Sequence, residues 1–169
     1  QAKAIPGKAN SIRRLHFCQW TDAESAWISR QAWEACEDPD MTLEDFAGRE
    51  CWIGLDLGAT KDMTARVMVF RDGEDSEGRP CFAMFAHGYT PRDTLQARVR
   101  EDKAPYDVWV EQGFLTATDG KLVRFDQVAA DIVHLAQEFD IAAIDLTFAA
   151  DTTLTITEAQ LKALSAGTD

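Results

Sequence analysis

Hydrophobic positions are densest in three short stretches that follow one another along the middle of the chain. Cys51–Leu57 is apolar apart from a glycine and one aspartate, Ala65–Phe70 comes soon after it, and Cys81–Tyr89 follows the polar run Arg71–Arg79. Short apolar runs bounded by glycine and polar residues are typical of strands joined by turns. The pattern predicts three strands in an antiparallel meander.

A helix and a fourth strand are predicted further along. Val128, Ile132, Leu135 and Phe139 are spaced four, three and four residues apart, which places them on one face of a helix. The apolar run Ile141–Leu146 then reads as a buried strand. A meander, a helical crossover and a parallel fourth strand make an α/β mixed sheet in the order of a ribonuclease-H-like core.

The segment between the meander and the crossover helix is less regular. Thr90 has the sequence of a helix cap, followed by proline and an acid. The next stretch, 105–113, is predicted to be a turn of helix or a packed loop, with Tyr106 and Trp109 packed against the crossover helix rather than stacked on DNA bases. Lys121–Phe125 is expected to be short and extended.

Composition limits what the chain can be. With 169 residues and 46% hydrophobic composition, it is long enough for one core and a short arm. No apolar run approaches the length of a bilayer span, which predicts a soluble, intracellular protein. The cysteines lack the spacing of a zinc site and are interpreted as reduced structural thiols; they are Cys18, Cys36, Cys51 and Cys81.

Charge is unevenly distributed. The net charge of -12 argues against a protein that coats nucleic acid through bulk positive charge, although it does not exclude a nuclease with a small contact surface. The stretch 1–21 is basic and contains no acid. It is either a DNA contact or a connector, and its loop-forming residues favour the connector.

Two aspartates interrupt apolar strands at positions that the predicted topology brings together. Asp56 lies near the end of the first strand and Asp145 in the fourth, where an ionised group is costly unless a metal or a basic partner compensates it. Mg²⁺ or Mn²⁺ prefers oxygen ligands, and two metals held in this way can cut a phosphodiester. The simpler alternative is that each aspartate caps the turn after its strand. Asp62 is a further candidate ligand, or it steadies its loop.

The chain resembles the large subunit of tailed-phage terminases over roughly residues 11–146, in one collinear order. The similarity is carried by these segments: Arg13–Trp20, Trp27-Ile28 with Trp33, Trp52–Leu57 with Asp62–Ala65, Pro105–Gly113, Leu115–Gly120 and Phe139–Asp145. The resemblance implies residues 1–49 as a linker and the tail of an ATPase half, 50–150 as a partial ribonuclease-H-like nuclease domain, incomplete at its C-terminal end, and 151–169 as an atypical tail.

The same resemblance implies a function and a site. It predicts a metal-dependent endonuclease region that cuts concatemeric DNA during packaging into a capsid, with Asp56 and Asp145 as catalytic metal ligands. The implied partners are double-stranded DNA and, in the full protein, the small terminase subunit and the portal. The implied location is the cytoplasm of the bacterial host.

Departures from the family pattern leave the activity of the chain open. Leu146-Thr147-Phe148 stands where the family usually has a basic residue or proline and a tryptophan, and the family's late third aspartate has no counterpart. The phosphate-binding loop of the ATPase half is absent, so ATP hydrolysis through such a loop is not expected. We expect the isolated chain to cut DNA weakly or not at all.

Two other functions compete with this interpretation. Gly54–Lys61 is also similar to the first phosphate loop of actin-like and sugar kinases, but a second phosphate loop is missing. The second competing interpretation is a catalytically inactive fragment that serves in binding or assembly, or a decayed gene remnant. Stabilisation by a divalent ion would distinguish an assembled metal site from an inactive fragment.

Overall fold

The computed structural model describes residues 28–58, 63–148 and 152–157. The chain divides into two compact units, 1–42 and 43–169. In the first unit, the described part holds a short helix α1 (Arg30–Glu34), whose N-cap Ser29 accepts a hydrogen bond from the Ala32 amide at 3.1 Å. Arg14–Trp20, where alternating apolar and polar residues predict a short strand, lies outside the described residues.

The second unit is built on a six-stranded mixed sheet. Its strands are β1 (Glu50–Leu57), β2 (Thr64–Glu74), β3 (Pro80–Pro91), β4 (Leu115–Thr118), β5 (Asp140–Phe148) and β6 (Thr152–Thr157). Their order across the sheet is β4-β3-β2-β1-β5-β6. The helices of this unit are α2 (Leu95–Asp102), α3 (Tyr106–Glu111) and α4 (Phe125–Glu138), with 3-10 turns at Leu43–Phe46 and Arg92–Thr94.

The predicted mixed α/β core is confirmed. β1, β2 and β3 form the antiparallel meander, α4 makes the crossover, and β5 lies parallel to β1 as its neighbour. The helical stripe Val128, Ile132 and Leu135 is buried, as the spacing required, and Phe139 is buried directly after the helix ends. The six-stranded sheet adds two edge strands that the sequence analysis did not predict.

One face of the sheet, the α4 face, carries the core. It presents Ile53, Met68 and Phe70, all almost fully buried, toward α4. Four phenylalanines cluster there: Phe70 lies 4.8 Å from Phe46, 5.9 Å from Phe85 and 5.6 Å from Phe139 between ring centroids. Tilted and edge-on pairs at these distances are each worth about 0.5–1.5 kcal/mol beyond area burial. The cluster ties the 3-10 turn at Leu43–Phe46 to the sheet.

Several local predictions were wrong. β4 lies at Leu115–Thr118, whereas Lys121–Phe125 is irregular up to the first residue of α4. Thr90 does not cap a helix: β3 continues through Pro91, and a 3-10 turn precedes α2. Thr90 is fully buried and accepts a hydrogen bond at 3.1 Å from Arg98 in α2. Because β3 pairs with β4 through Thr90 and Pro91, the strand continues over residues whose local sequence favours a helix cap.

Tyr106 and Trp109 are packing residues, as predicted, but their partner differs. Their rings are half-buried and contact each other at 5.4 Å, and the Arg98 guanidinium lies 5.2 Å from the Tyr106 ring. Through Arg98, α2 is anchored to Thr90, on the face opposite the one that α4 covers. Tyr106 therefore packs on α2 and Trp109 packs on Tyr106.

Candidate metal centre

The two predicted aspartates lie on neighbouring central strands. Asp56 is opposite Ala65 of β2 and opposite Thr147 of β5, and Asp145 is opposite Gly54. Partners in a parallel pair project from the same face, and residues two apart along a strand share that face. Asp56 and Asp145 therefore project from one face, which we call the aspartate face.

Their separation follows from the register. The two residues are one strand apart and offset by two residues, which corresponds to about 8 Å between Cα atoms, given strand spacing near 4.8 Å and a rise near 3.3 Å per residue. Carboxylates at diagonal positions of this kind can turn toward a common point between them. The structure thus brings Asp56 and Asp145 together; their assignment as metal ligands stays a prediction.

Neither aspartate is buried, so the expected cost of burying their charges does not arise. The strand β1 alternates strictly, with Cys51, Ile53 and Leu55 buried on the α4 face and Asp56 exposed on the other. Asp145 is exposed as well. Because water reaches both carboxylates, their charges need no compensating partner to be tolerated. What favours a shared metal ion is therefore the placement of both residues on one face of adjacent strands and not a desolvation penalty.

The end of β1 is fastened to the start of β2 just beyond Asp56. The hydroxyl of Thr64, which is fully buried, donates to the Gly58 carbonyl at 2.8 Å and accepts from the Gly58 amide at 3.1 Å. This double contact holds the strand ends in register beside Asp56. Asp62, the third candidate ligand, lies in the stretch 59–62, outside the described residues, so its position is not defined.

The available donors fit only part of a metal coordination shell. Within the described part of the chain, no group of three or more His, Cys, Asp or Glu side chains is arranged to hold a metal. Mg²⁺ requires six oxygen ligands, and it commonly takes one or two from protein carboxylates and keeps several waters. Asp56 and Asp145 match that donor type, and the rest of the shell has to come from elsewhere.

Two positions beside the carboxylates were missed by the sequence analysis. Gly54 and Thr147 occupy the other two corners of the rectangle whose diagonal joins Asp56 to Asp145. The signal that identifies them is the period of two along each strand, combined with the parallel register. The sequence gives the period but not the register, which depends on how the strands pair.

The α4 face carries a separate polar cluster that fixes the crossover helix. The Tyr89 hydroxyl donates to the Asp131 carboxylate of α4 at 2.9 Å, and the His87 imidazole lies 2.8 Å from the Thr116 hydroxyl. Burial raises the pKa of Tyr89 to about 12. Burial and the nearby Arg66 guanidinium lower the pKa of His87 below its ordinary value of 6.5. The Tyr89–Asp131 bond ties α4 to β3, the His87–Thr116 contact links β3 to β4, and both lie across the sheet from the aspartates.

The part of the chain that the structure describes contains no helix long and apolar enough to cross a membrane.

Two known proteins are similar to this chain in sequence. The chain is 35% identical over 144 residues to the large terminase subunit of Enterobacteria phage HK97, covering 85% of this chain and 27% of that protein. It is 31% identical over 129 residues to Protein YmfN of Escherichia coli strain K12, covering 74% of this chain and 28% of that protein. The chain thus spans about a quarter of the length of these relatives.

Structure and family comparisons agree with each other. The crystal structure of the HK97 bacteriophage large terminase matches with a TM-score of 0.58 and 34% identity, over 85% of this chain and 28% of that one. The family model for the terminase large subunit endonuclease domain matches residues 1–151. The chain belongs to the terminase large subunit endonuclease domain family.

Proposed function

We propose that this chain is the nuclease region of a phage terminase large subunit, in which Asp56 and Asp145 hold a divalent cation that cuts concatemeric DNA during packaging. The observation that carries the proposal is the placement of both carboxylates on one exposed face of adjacent parallel strands, offset by two residues. Family membership supports the reaction class, and the strand register supports Asp56 and Asp145 as the residues that hold the cation.

The exposure of the site suits a polymeric substrate. A DNA duplex cannot enter a closed cavity, whereas the aspartate face lies open to solvent at β1 and β5. A bound Mg²⁺ or Mn²⁺ ion would activate a water molecule and stabilise the charge that develops on the phosphodiester. Asp56 and Asp145 would hold the ion, and the Thr64 contacts to Gly58 would keep the end of β1 in place.

Metal binding is tested by thermal unfolding of the chain in increasing Mn²⁺. We expect the wild type to gain stability by mass action, and Asp56→Ala and Asp145→Ala to lose that gain. Glu50→Ala is the matched control, because Glu50 is an exposed carboxylate on the same strand and face, about 20 Å from Asp56 by the rise of a strand. Equal Mn²⁺ stabilisation in all four proteins would refute the site.

Cleavage is tested by plasmid nicking in Mn²⁺ with the same four proteins. We expect weak or no nicking by the isolated wild-type chain, since two carboxylates leave the position of a second ion poorly fixed. Any nicking that occurs must disappear in both aspartate variants and persist in Glu50→Ala. Robust wild-type cleavage that both aspartate variants abolish would show that the ligand set is complete within this chain.

The partners follow from the same proposal. Double-stranded DNA is the substrate, and the small terminase subunit and the portal would be contacted by the full protein in the host cytoplasm. A catalytically inactive assembly fragment remains the competing function. Its signature is the absence of any stabilisation by Mn²⁺ or Mg²⁺ in the titration above.

A further inference from the structure

Gly54 is a glycine in the interior of a central strand, where this residue is normally unfavourable. It pairs with Val67 of β2 on one side and with Asp145 of β5 on the other. Glycine in the middle of a strand costs about 0.5–1 kcal/mol relative to alanine, and it commonly marks a bulge or a place where a ligand or another backbone comes close.

Nothing in the local structure requires glycine at this position. The irregularity between β1 and β5 lies at Cys51/Trp52, and Gly54 is not among the glycines with positive φ. A Cβ built on Gly54 meets no atom within 4 Å in the described part of the chain. Gly88, on the same face, is the opposite case: its Cβ would lie 2.3 Å from Leu115 Cδ2. Internal packing therefore explains Gly88 but not Gly54.

The space above Gly54 adjoins both carboxylates. It lies one strand spacing from Asp145 and two residues along β1 from Asp56, distances of about 4.8 Å and about 7 Å. A side chain there would project from the aspartate face directly beside Asp145 and next to Asp56 along the same strand face. Because Gly54 has no side chain, the surface of the sheet is uncovered at this corner of the site.

We propose that Gly54 is a positioning residue that leaves room for the scissile phosphate of DNA to lie against the sheet beside the cation. This inference rests on the proposed function. Ionised carboxylates repel a phosphate, so approach to the cation from beside the two aspartates is favoured over approach from between them. The corner at Thr147 carries a side chain, whereas the corner at Gly54 carries none.

The test compares Gly54→Ala and Gly54→Val with the wild type. Ala86→Val is the matched control, because Ala86 is an exposed residue of the same cross-strand row, with Val67 between it and Gly54. It places the same valine side chain on the same face two strands away. Three quantities are measured: the thermal midpoint, the stabilisation by Mn²⁺, and the affinity for a labelled 20-base-pair duplex in Ca²⁺ and in EDTA.

We expect both Gly54 variants to unfold at or above the wild-type temperature and to keep the stabilisation by Mn²⁺. The Ca²⁺-dependent part of DNA affinity should fall by about tenfold in Gly54→Val, less in Gly54→Ala, and stay near wild type in Ala86→Val.

Each alternative result has a distinct meaning. Unchanged Ca²⁺-dependent affinity in Gly54→Val overturns the inference and leaves the proposed function intact. A fall in thermal midpoint shows that folding requires the glycine, and a loss of Mn²⁺ stabilisation shows that the space belongs to the ion; either overturns the phosphate assignment. A wild type without any metal-dependent DNA binding overturns the inference together with the proposed function.

Discussion

Replacing Gly88 by alanine should destabilise the sheet through two identifiable overlaps, of which the one with Leu115 is the more severe. The added Cβ would lie 2.3 Å from Leu115 Cδ2 and 2.9 Å from Met63 Sδ. Carbon atoms in contact normally lie about 3.5–4.0 Å apart, so one side chain or the strand must move. Leu115 is 6% exposed and sits in β4, beside Gly88 in the parallel register, which leaves its side chain little room to turn away.

The size of the effect is the difference between two terms. Overpacking a buried site costs about 1–3 kcal/mol. Against it, alanine loses less chain entropy than glycine on folding, which returns about 0.4–1 kcal/mol. The net loss should be about 1–2 kcal/mol, which corresponds to a fall in Tm of about 2–8 °C for a chain of this length.

Equilibrium urea unfolding of four proteins isolates the contact: the wild type, Gly88→Ala, Leu115→Ala and the double variant. Leu115→Ala alone should cost about 2–5 kcal/mol, as buried leucine truncations do. In that background Gly88→Ala should cost clearly less than in the wild type, because the overlap with Leu115 Cδ2 is gone and only the one with Met63 Sδ remains. Strict additivity of the two free-energy changes would refute the overlap as the cause.

Three further outcomes are expected. The pKa of His87 is lowered in the folded state, so the unfolded chain binds more protons below pH 6.5. The free energy of unfolding should therefore fall as the pH drops below that value. In His87→Asn the urea midpoint should depend less on pH. Tyr89→Phe leaves the Asp131 carboxylate without its 2.9 Å donor and should cost about 1–3 kcal/mol by the same urea assay, and an unchanged midpoint would contradict this. Burial raises the pKa of the Cys51 thiol to about 11, so at pH 8 a thiol reagent should modify the exposed Cys81 quickly and Cys51 only on unfolding, with mass spectrometry identifying the sites.

The edge strands show where local sequence was insufficient. β6 places Leu154 and Ile156 opposite Leu146 and Ile144 of β5, and threonines occupy the alternate positions. That alternation of threonine with apolar residues is a strand signal, yet Thr152–Thr157 falls in the segment predicted to be an atypical tail. β4 has only four residues, too few for a period to be read reliably, and its pairing with β3 was needed to identify it. The division into segments 1–49, 50–150 and 151–169 stays a prediction.

The sequence by itself determined the elements that bury a continuous apolar surface: three meander strands, an amphipathic crossover helix and a parallel strand beside the first. Each of these has a hydrophobic pattern that fixes its type, and the rules for strand order and crossover handedness leave few ways to assemble them. The order of the core, and the adjacency of the strands that carry Asp56 and Asp145, follow from that pattern.

Only the tertiary structure decided what surrounds those aspartates. An apolar run does not reveal which of its alternate residues face the core, and a shift of one residue in register reverses every side chain. Ile53 and Met68 are buried on the face where α4 bonds Tyr89 through Asp131, so Asp56 and Asp145 face solvent on the other. The parallel register then placed Gly54 at the corner beside both carboxylates. Burial and register are set by contacts between residues far apart in the chain, and these contacts have no local signal.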